Sequence, residues 1–154
     1  MSPDSRSIRI LVDADACPVK EEIYRVALRH KVPVTIVSNS WFRIPADPLI
    51  DRVVVQQGFD AADDWIASAV YPGCIVITAD ILLAGRCLEG GARVISPAGK
   101  PFTQDSIGSA KAVRAIMEDL RAGGDQIGGP APFSKTDRSR FLQALDTELV
   151  RLKR

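Results

Sequence analysis

The fold expected for this chain is decided by the stretch IRILVDADACPVK, residues 8–20. Its apolar run ends abruptly at two carboxylates, Asp13 and Asp15, and a Cys-Pro pair then opens a helix. Apolar runs bounded in this way are typical of buried parallel strands. In open α/β sheets the ligand site lies just beyond the carboxyl ends of the strands, so both aspartates stand where a site is expected.

Strand-like and helix-like segments alternate on either side of this stretch as far as residue 96. Short apolar runs bounded by turn residues predict strands, and apolar positions at helical spacing predict helices. This alternation predicts an α/β fold with a parallel sheet and right-handed crossovers. The predicted strands are 8–13, 33–37, 52–55, 74–78 and 93–96, and the predicted helices are 19–31, 61–70 and a third that follows Asp80 and runs to about Glu89.

The last third of the chain predicts helices rather than further strands. Residues 106–122 carry apolar side chains at helical spacing, and a glycine-rich loop that includes residues 128–130 follows them. Ser134 and Asp137 resemble a capping box and open a final amphipathic helix. We therefore expect residues 1–154 to form one domain, in which helices over about 105–152 pack on the sheet as a C-terminal appendage.

Composition excludes several classes of protein. The chain has 154 residues, 46% of them hydrophobic, which is enough for one sizeable core. Its 20 basic and 19 acidic residues argue against bulk electrostatic binding of nucleic acid but leave a local patch open. Three cysteines without a CxxC spacing favour a reducing cytoplasm over a disulfide framework. No apolar run approaches the ~18 residues of a membrane span, so we expect a cytoplasmic protein with no membrane partner.

Acids follow the predicted strands at three places. Asp13 and Asp15 follow the first strand, Asp80 follows the fourth, and Asp63 begins the helix after the third. If the first and fourth strands are neighbours, Asp13 and Asp80 project into one crevice. Clustered carboxylates repel each other unless some are protonated or a hard cation such as Mg²⁺ or Mn²⁺ neutralises them. Such a cation would orient water and stabilise a phosphoryl group, whereas the ordinary alternative for each acid is a cap or turn residue.

Four residues near the same edge are candidates for phosphate binding: Cys17, Lys20, Ser38 and Asn39. Cys17 is predicted at the N-cap of the first helix, with the following proline at the first helical position. We expect its thiol to be a small buried group, while the backbone beside it favours anions. Ser38 and Asn39 begin the stretch SNSWFR, residues 38–43, whose aromatic side chains either bind a base or anchor the loop on the core.

We assign no catalytic role to the one histidine or to the basic residues of the last third. His30 lies beside Arg29 and Lys31 at the end of a predicted helix, and we interpret it as a surface residue. A Ser/His/Asp arrangement therefore has weak support. The basic residues either guide a polyanion or form solvated helix faces; they are Lys100, Lys111, Arg114, Arg121, Lys135, Arg138 and Arg140.

Several motifs resemble the YaiI/YqxD family of bacterial proteins. They are DADACPVK at 13–20, GFDAAD at 58–63, ITAD at 77–80 with Leu83-Ala84, and GGP at 128–130 with Ser134 and Asp137-Arg138. The resemblance runs from about Ile8 to the last helix. Because the family is grouped with PIN-like domains, it implies a three-layer, Rossmann-like parallel sheet flanked by helices.

The wider PIN-like group includes Mg²⁺- or Mn²⁺-dependent ribonucleases, so the resemblance also implies an acidic metal site and RNA as a partner. Asp13 matches the acid after the first strand, Asp63 the acid on the central helix, and Asp80 the acid after the fourth strand. Asp15 and Asp60 belong to the family's own motif. PIN-like nucleases often carry a further acid beyond the fourth-strand one, and this chain departs from that pattern with ILLA after Asp80.

Three functions from different classes are consistent with these residues. The first is a metal-dependent nuclease or phosphodiesterase acting on RNA, with Asp13, Asp63 and Asp80 as metal ligands, Asp15 assisting and Lys20 on the phosphate. The second is a haloacid dehalogenase-like phosphohydrolase of another phosphorylated substrate, with Asp13 as nucleophile, Asp15 as acid/base and Ser38 as a phosphate contact. The third is a non-catalytic RNA- or protein-binding module that retains an acidic pocket.

Overall fold

Each predicted apolar run is a strand of one six-stranded sheet in the computed structural model, which describes residues 8–14, 17–56, 61–108 and 134–153. The strands are β1 Arg9–Asp13, β2 Val34–Ser38, β3 Ile50–Val54, β4 Cys74–Ile77, β5 Arg93–Ile95 and β6 Pro101–Phe102. The helices are α1 Lys20–His30, α2 Ala61–Ala69, α3 Ile81–Glu89 and α4 Lys135–Lys153, and residues 104–108 are also helical. The predicted elements up to residue 96 lie within two residues of these bounds.

The sheet has the strand order β3-β2-β1-β4-β5-β6. β1 lies between β2 and β4 and is parallel to both, with Val12 opposite Ile36 on one side and Ile77 on the other. The direction of strand progression therefore reverses between β1 and β4, which is where open α/β sheets bind ligands. The neighbouring placement of the first and fourth strands that the sequence argument required is confirmed.

β6 is an element that the sequence did not predict. It has two residues and pairs antiparallel with β5, with Phe102 opposite Val94. A run this short carries no period-2 pattern, so its pairing is decided by the turn that leads into it.

Helices cover both faces of the sheet. One core lies between the sheet and the helices α1 and α4, and it contains Ile10, Val12 and the fully buried Phe141. The other core lies between the sheet and the helices α2 and α3, and it contains Leu11 and Leu83. Successive β1 residues point to opposite cores because side chains alternate along a strand. The predicted three-layer α/β architecture is confirmed.

The start of α4 is capped as the sequence predicted. The Ser134 N–H donates to Asp137 Oδ2 at 3.0 Å, and the Asp137 N–H donates to Ser134 Oγ at 3.1 Å. This reciprocal pair satisfies two of the N–H groups that a helix start leaves without partners. The capping box therefore sets where α4 begins.

α4 also packs tightly on the turn between β5 and β6. Gly99 has a φ of +85°, and a Cβ atom there would lie 2.6 Å from the carbonyl carbon of Arg140. Glycine is required because it adopts this backbone conformation without strain and leaves room for the helix backbone. The close approach places Phe141 in the core beside α1.

The carboxyl-terminal half of α4 is fastened to the end of α1 by polar contacts. Asp146 Oδ1 lies 2.6 Å from both Arg29 Nη2 and His30 Nε2. Lys153 Nζ lies 3.1 Å from His30 Nδ1, and since an ammonium group can only donate, we assign the ring proton to Nε2. The interpretation of His30 as a surface residue is wrong, because α4 covers the ring and leaves 14% of the side chain exposed.

Some predictions fall on residues that the structure does not describe. The predicted helix over 106–122 is helical as far as residue 108, and its remainder lies outside the described residues. The glycine-rich loop at 128–130 also lies outside them, and the prediction of one domain stays a prediction. Within the described ranges, no helix has both the length and the apolar character needed to cross a membrane.

The Asp146 contacts predict a pH-dependent stability. Hydrogen bonds first from His30 and then from Arg29 lower the pKa of the Asp146 carboxyl from its ordinary value of 3.8. A carboxyl whose pKa is lower in the folded state stabilises the fold above the unfolded value and loses that contribution as the pH falls below it. We expect Asp146→Asn to lower the free energy of unfolding at neutral pH by at most about 1 kcal/mol, because the carboxylate is partly exposed.

Urea unfolding of both proteins at neutral pH and below 3.8 measures this effect. The difference between the two proteins should shrink in acid. Asp105→Asn, at an exposed carboxylate, is the matched control and should change little at either pH. A difference for Asp146→Asn that stays the same in acid would contradict the assignment.

Candidate active site

Asp13 is a buried carboxylate at the carboxyl end of the central strand. It is the last residue of β1, 8% exposed, and lies opposite Val37 of β2. Since Leu11 and Val37 both belong to the core under α2 and α3, alternation places the Asp13 side chain on that face. A buried carboxylate requires hydrogen-bond donors, so the side chains around it are the first candidates for a site.

Thr78 links Asp13 to the loop that carries Asp80. The Thr78 hydroxyl donates to Asp13 Oδ2 at 2.8 Å and accepts from the Asp80 N–H at 3.0 Å. Thr78 is itself 1% exposed. One hydroxyl group therefore joins the ends of two adjacent strands and fixes the carboxylate of Asp13. Thr78 was not among the predicted site residues, although a hydroxyl residue directly after the apolar strand β4 was a visible signal.

Asp80 is the N-cap residue of α3. Its Oδ1 atom accepts hydrogen bonds from the N–H groups of Leu82 and Leu83, at 2.9 and 3.1 Å. The ordinary role of an aspartate after a strand is therefore present here. The two bonds also orient the carboxylate rigidly at the same edge of the sheet as Asp13, so a role in chemistry stays a prediction alongside the capping role.

The two acids of α2 differ in their exposure to solvent. Asp63 is partly buried, whereas Asp64 is exposed and forms an ion pair with Arg86 at 2.9 Å. Burial and, to a smaller extent, the negative charges of Asp63 and Asp13 raise the pKa of the Cys87 thiol to about 12, against an opposing contribution from Arg86. Asp63 belongs to α2, which covers the same side of the sheet as the Asp13 side chain. Asp15 and Asp60 lie outside the described residues.

The oxygen donors at this edge are of the kind that bind magnesium or manganese ions. Among the described residues, no group of three or more His, Cys, Asp and Glu side chains is arranged to hold a metal ion. Mg²⁺, however, is often held by one or two carboxylates together with water and substrate phosphates. Asp13 and Asp80, joined through Thr78, supply hard oxygen donors of that kind. The assignment of Asp13, Asp63 and Asp80 to one ion stays a prediction.

A pocket of about 390 Å³ opens on the other face of the same edge, lined by Ala14, Cys17, Pro18 and Lys20. The Lys20 ammonium group lies 5.4 Å from the centre of the Phe42 ring. Because Lys20 lines the pocket, its ammonium group remains a candidate for binding an anion there.

The start of α1 differs from the prediction. The N-cap residue is Val19 and α1 begins at Lys20, so Cys17 is not the N-cap and Pro18 is not the first helical residue. Residues 18 and 19 form a turn, so the helix begins two residues later than predicted, and the Cys17 N–H bonds to the Ala14 carbonyl at 3.4 Å. Burial raises the pKa of the Cys17 thiol, consistent with the expected small, unreactive group.

Ser38 does not share a face with Asp13. It is the last residue of β2 and alternates with Val37, so its side chain faces the α1 side. Its hydroxyl accepts a hydrogen bond from the Ser40 N–H at 3.2 Å. Asn39 is exposed. The structure therefore does not bring Ser38 and Asp13 together on one phosphate group.

The two aromatic residues of the loop after β2 have different roles. Phe42 is partly buried against the core under α1, so it anchors the loop. Trp41 is 66% exposed, and its ring lies 4.6 Å from the guanidinium carbon of Arg52. The sequence offered anchoring and base binding as alternatives for both residues. The structure shows anchoring for Phe42, whereas Trp41 is largely exposed and has Arg52 against one face of its ring.

Arg138 is a cation near the pocket that the sequence analysis named in a family motif and among the basic residues of the last third, without a place at the site. Its Nη1 atom donates to the Pro18 carbonyl at 2.9 Å and lies 3.3 Å from Glu22 Oε1. α4 thereby places a guanidinium beside the turn that lines the pocket. Sequence could not reveal this contact, because 120 residues separate Arg138 from Pro18.

Comparison with known proteins identifies relatives along nearly the whole chain. The sequence profile of the uncharacterised YaiI/YqxD family matches residues 11–151. A UPF0178 protein of Sphingopyxis alaskensis is 69% identical over 146 residues, which cover 94% of this chain and 95% of the relative. A UPF0178 protein of Bradyrhizobium diazoefficiens is 59% identical, over 95% of this chain and 87% of the relative. No solved structure matches the chain.

The Thr78 contacts predict a stability effect at the site. Thr78→Val removes the hydroxyl and leaves Asp13 Oδ2 without that donor in a buried position. We expect the free energy of unfolding to fall by about 1–3 kcal/mol, and Thr78→Ser to restore most of it. Denaturant unfolding measures both variants, and Thr147→Val, at an exposed threonine of α4, is the matched control. Equal stability of Thr78→Val and wild type would contradict the role of this hydroxyl.

Proposed function

This chain belongs to the YaiI/YqxD family, and from that premise we propose that it is a hydrolase that cleaves phosphodiester bonds in RNA at the carboxyl edge of β1 and β4. The observation that supports the proposal most strongly is the buried Asp13 carboxylate, hydrogen-bonded through Thr78 to the loop of Asp80. Buried and rigidly oriented carboxylates at a switch point of a parallel sheet are the groups that activate water in such sites.

Asp13 is the group that orients the attacking water. Thr78 donates to one carboxylate oxygen and so fixes the plane of the carboxylate. Two backbone N–H groups donate to Asp80 Oδ1, so the Asp80 carboxylate would keep its orientation beside the reacting phosphate. Preorganised groups of this kind lower the barrier because they need no rearrangement during the reaction.

A divalent metal fits this chemistry. Asp13 and Asp80 would hold Mg²⁺ or Mn²⁺ together with water and the RNA phosphate, and the ion would supply a Lewis acid for the phosphoryl oxygen and lower the pKa of bound water. Two cations of the chain lie at the same edge on the opposite face of the sheet. Lys20 lines the pocket there, and Arg138 lies beside Pro18. These groups would bind a phosphate of the RNA backbone on that side.

An extended polyanion suits the edge better than a small phosphomonoester. The cations and aromatic rings are spread along the edge, with Lys20 over Phe42 and Arg52 over Trp41. Single-stranded nucleic acid binds to such combinations of positive charge and exposed rings. The phosphomonoesterase alternative is less well supported, because Ser38 faces the other side of the sheet from Asp13. We place the activity in the cytoplasm, since Cys17, Cys74 and Cys87 are free thiols.

RNA cleavage tests the proposal directly. Purified protein with Mg²⁺ or Mn²⁺ should cleave single-stranded RNA, and Asp13→Asn should reduce the rate by about 100-fold or more, because the water-orienting carboxylate is lost. Asp80→Asn should also reduce it. Asp64→Asn is the matched control, since this acid of α2 is exposed and paired with Arg86, and it should cleave normally.

The other outcomes separate the alternatives. Cleavage that persists in Asp13→Asn would overturn the proposal. RNA bound but never cleaved by wild type would favour a non-catalytic binding module. Hydrolysis of a generic phosphomonoester, with a phosphoaspartate trapped at Asp13, would favour the haloacid dehalogenase-like scheme.

Binding of RNA tests the role of the loop independently of turnover. Trp41→Ala removes an exposed ring, and since stacking contributes about 1–3 kcal/mol per base, we expect the affinity for a short single-stranded RNA to fall by about tenfold. Trp41→Phe retains a ring and should retain most of the affinity. Fluorescence anisotropy with labelled RNA measures all three proteins, and unchanged affinity of Trp41→Ala would exclude this face from the binding surface.

A further inference from the structure

The loop that follows β2 presents an indole ring to solvent at a point where its backbone is held on both sides. Trp41 is 66% exposed. Before it, the Ser40 N–H donates to the Ser38 hydroxyl at 3.2 Å. After it, the Phe42 carbonyl accepts a hydrogen bond from Arg52 Nη1 at 3.2 Å. The backbone around Trp41 is therefore fixed, although the ring itself is not buried.

Arg52 contacts the Trp41 ring as well as the loop backbone. Its guanidinium carbon lies 4.6 Å from the centre of the ring, which is the distance of a cation–π contact. Because Arg52 belongs to β3, this contact ties the ring to a strand of the sheet. One face of the ring thus lies against a cation, while the side chain as a whole stays largely exposed.

The neighbouring Phe42 shows how a ring anchors this loop by burial. It packs against the core under α1, and such packing stabilises the fold because it removes apolar surface from water. Trp41 gains little of that stabilisation, since most of its side chain remains in contact with water. A tryptophan held in one orientation at the surface is typical of recognition, because its large ring binds a flat partner with little loss of conformational freedom.

The position of the Trp41 ring relative to Asp13 limits what a ligand of both must span. Trp41 follows β2, which pairs directly with β1, and adjacent strands lie about 4.8 Å apart. Arg52 is opposite Ile36, so its side chain lies on the side of α1, whereas the Asp13 side chain lies on the side of α2 and α3. A ligand that reaches both groups therefore crosses the carboxyl edge of the sheet.

We propose that Trp41 and Arg52 form a platform for one unpaired base of the RNA, in which Arg52 is a positioning residue that orients the indole ring for stacking. The identity of the ligand rests on the proposed function. The base stacks on the ring face away from Arg52, and the fixed ring lowers the entropic cost of binding. Both faces of a base inside a duplex are covered by its neighbours, so the platform selects RNA that has an unpaired nucleotide.

Fluorescence of Trp41 measures the stacking directly. The chain has two tryptophans, so Trp65→Phe leaves Trp41 as the only indole. Without added metal, we expect a short single-stranded oligouridylate to quench this fluorescence when it binds. A strand of the same length without bases should bind without quenching, and the oligouridylate paired with its complement should quench much less.

Affinities measured by anisotropy test the role of Arg52 and need no substitution at Trp65. Arg52→Gln should weaken binding of the oligouridylate by about threefold to fivefold, because the ring loses the cation that orients it. Arg52→Lys keeps a cation and should restore most of the affinity. Arg86→Gln, at an arginine of α3 that pairs with Asp64, is the matched control and should bind normally.

A double-substitution cycle separates positioning from direct contact with the RNA. If Arg52 acts through the ring, Arg52→Gln causes no further loss of affinity in a Trp41→Ala background. The same fold loss in both backgrounds, equal quenching by the strand without bases, or no binding of RNA to wild type would overturn the platform. Base-dependent quenching by a protein that never cleaves RNA would support the platform and overturn only the proposed hydrolase.

Discussion

The parallel pairing of β1 on both sides is the constraint on which the rest of the structure depends. Ile10, Leu11 and Val12 are fully buried, so their backbone N–H and C=O groups must find partners in β2 and β4. Once Val12 is opposite Ile77, the next residues along both strands leave the sheet at the same edge. The hydrogen bond between Thr78 and Asp13 follows from that register, and so does the position of Asp80 at the start of α3.

The plane of the sheet divides the carboxyl edge into two chemical sides. The acids Asp13 and Asp63 act on the side covered by α2 and α3, whereas Lys20 and the aromatic loop lie on the side of α1. Under the proposed function, this separation would keep the carboxylates and a bound phosphate from repelling each other. An RNA strand would then contact both sides of the edge, whereas a small phosphate ester would contact only one.

α4 connects the two edges of the sheet. Near its start Arg138 lies beside the turn at Pro18, and near its end Glu148 and Arg151 line a pocket of about 610 Å³ at the opposite edge of the sheet. The helix is held along this path by the contact of Asp146 with α1 and by the turn at Gly99. α4 therefore contributes side chains to both edges of the sheet and is not only a cover for the core.

Local sequence determined the alternation of strands and helices and the capping box of α4. Each of these follows from apolar runs, helical spacing or residues within three positions of each other, and such patterns act without the rest of the chain. Tertiary structure alone decided that Asp13 and Asp80 lie at one edge, where the Thr78 hydroxyl links the Asp13 carboxylate to the Asp80 backbone N–H. It also decided that His30 is covered, that α1 starts at Lys20 and that Glu148 is buried between arginines. The physical reason is that a side chain's burial and partners depend on neighbours distant in sequence, as for His30 and Asp146, which lie 116 residues apart.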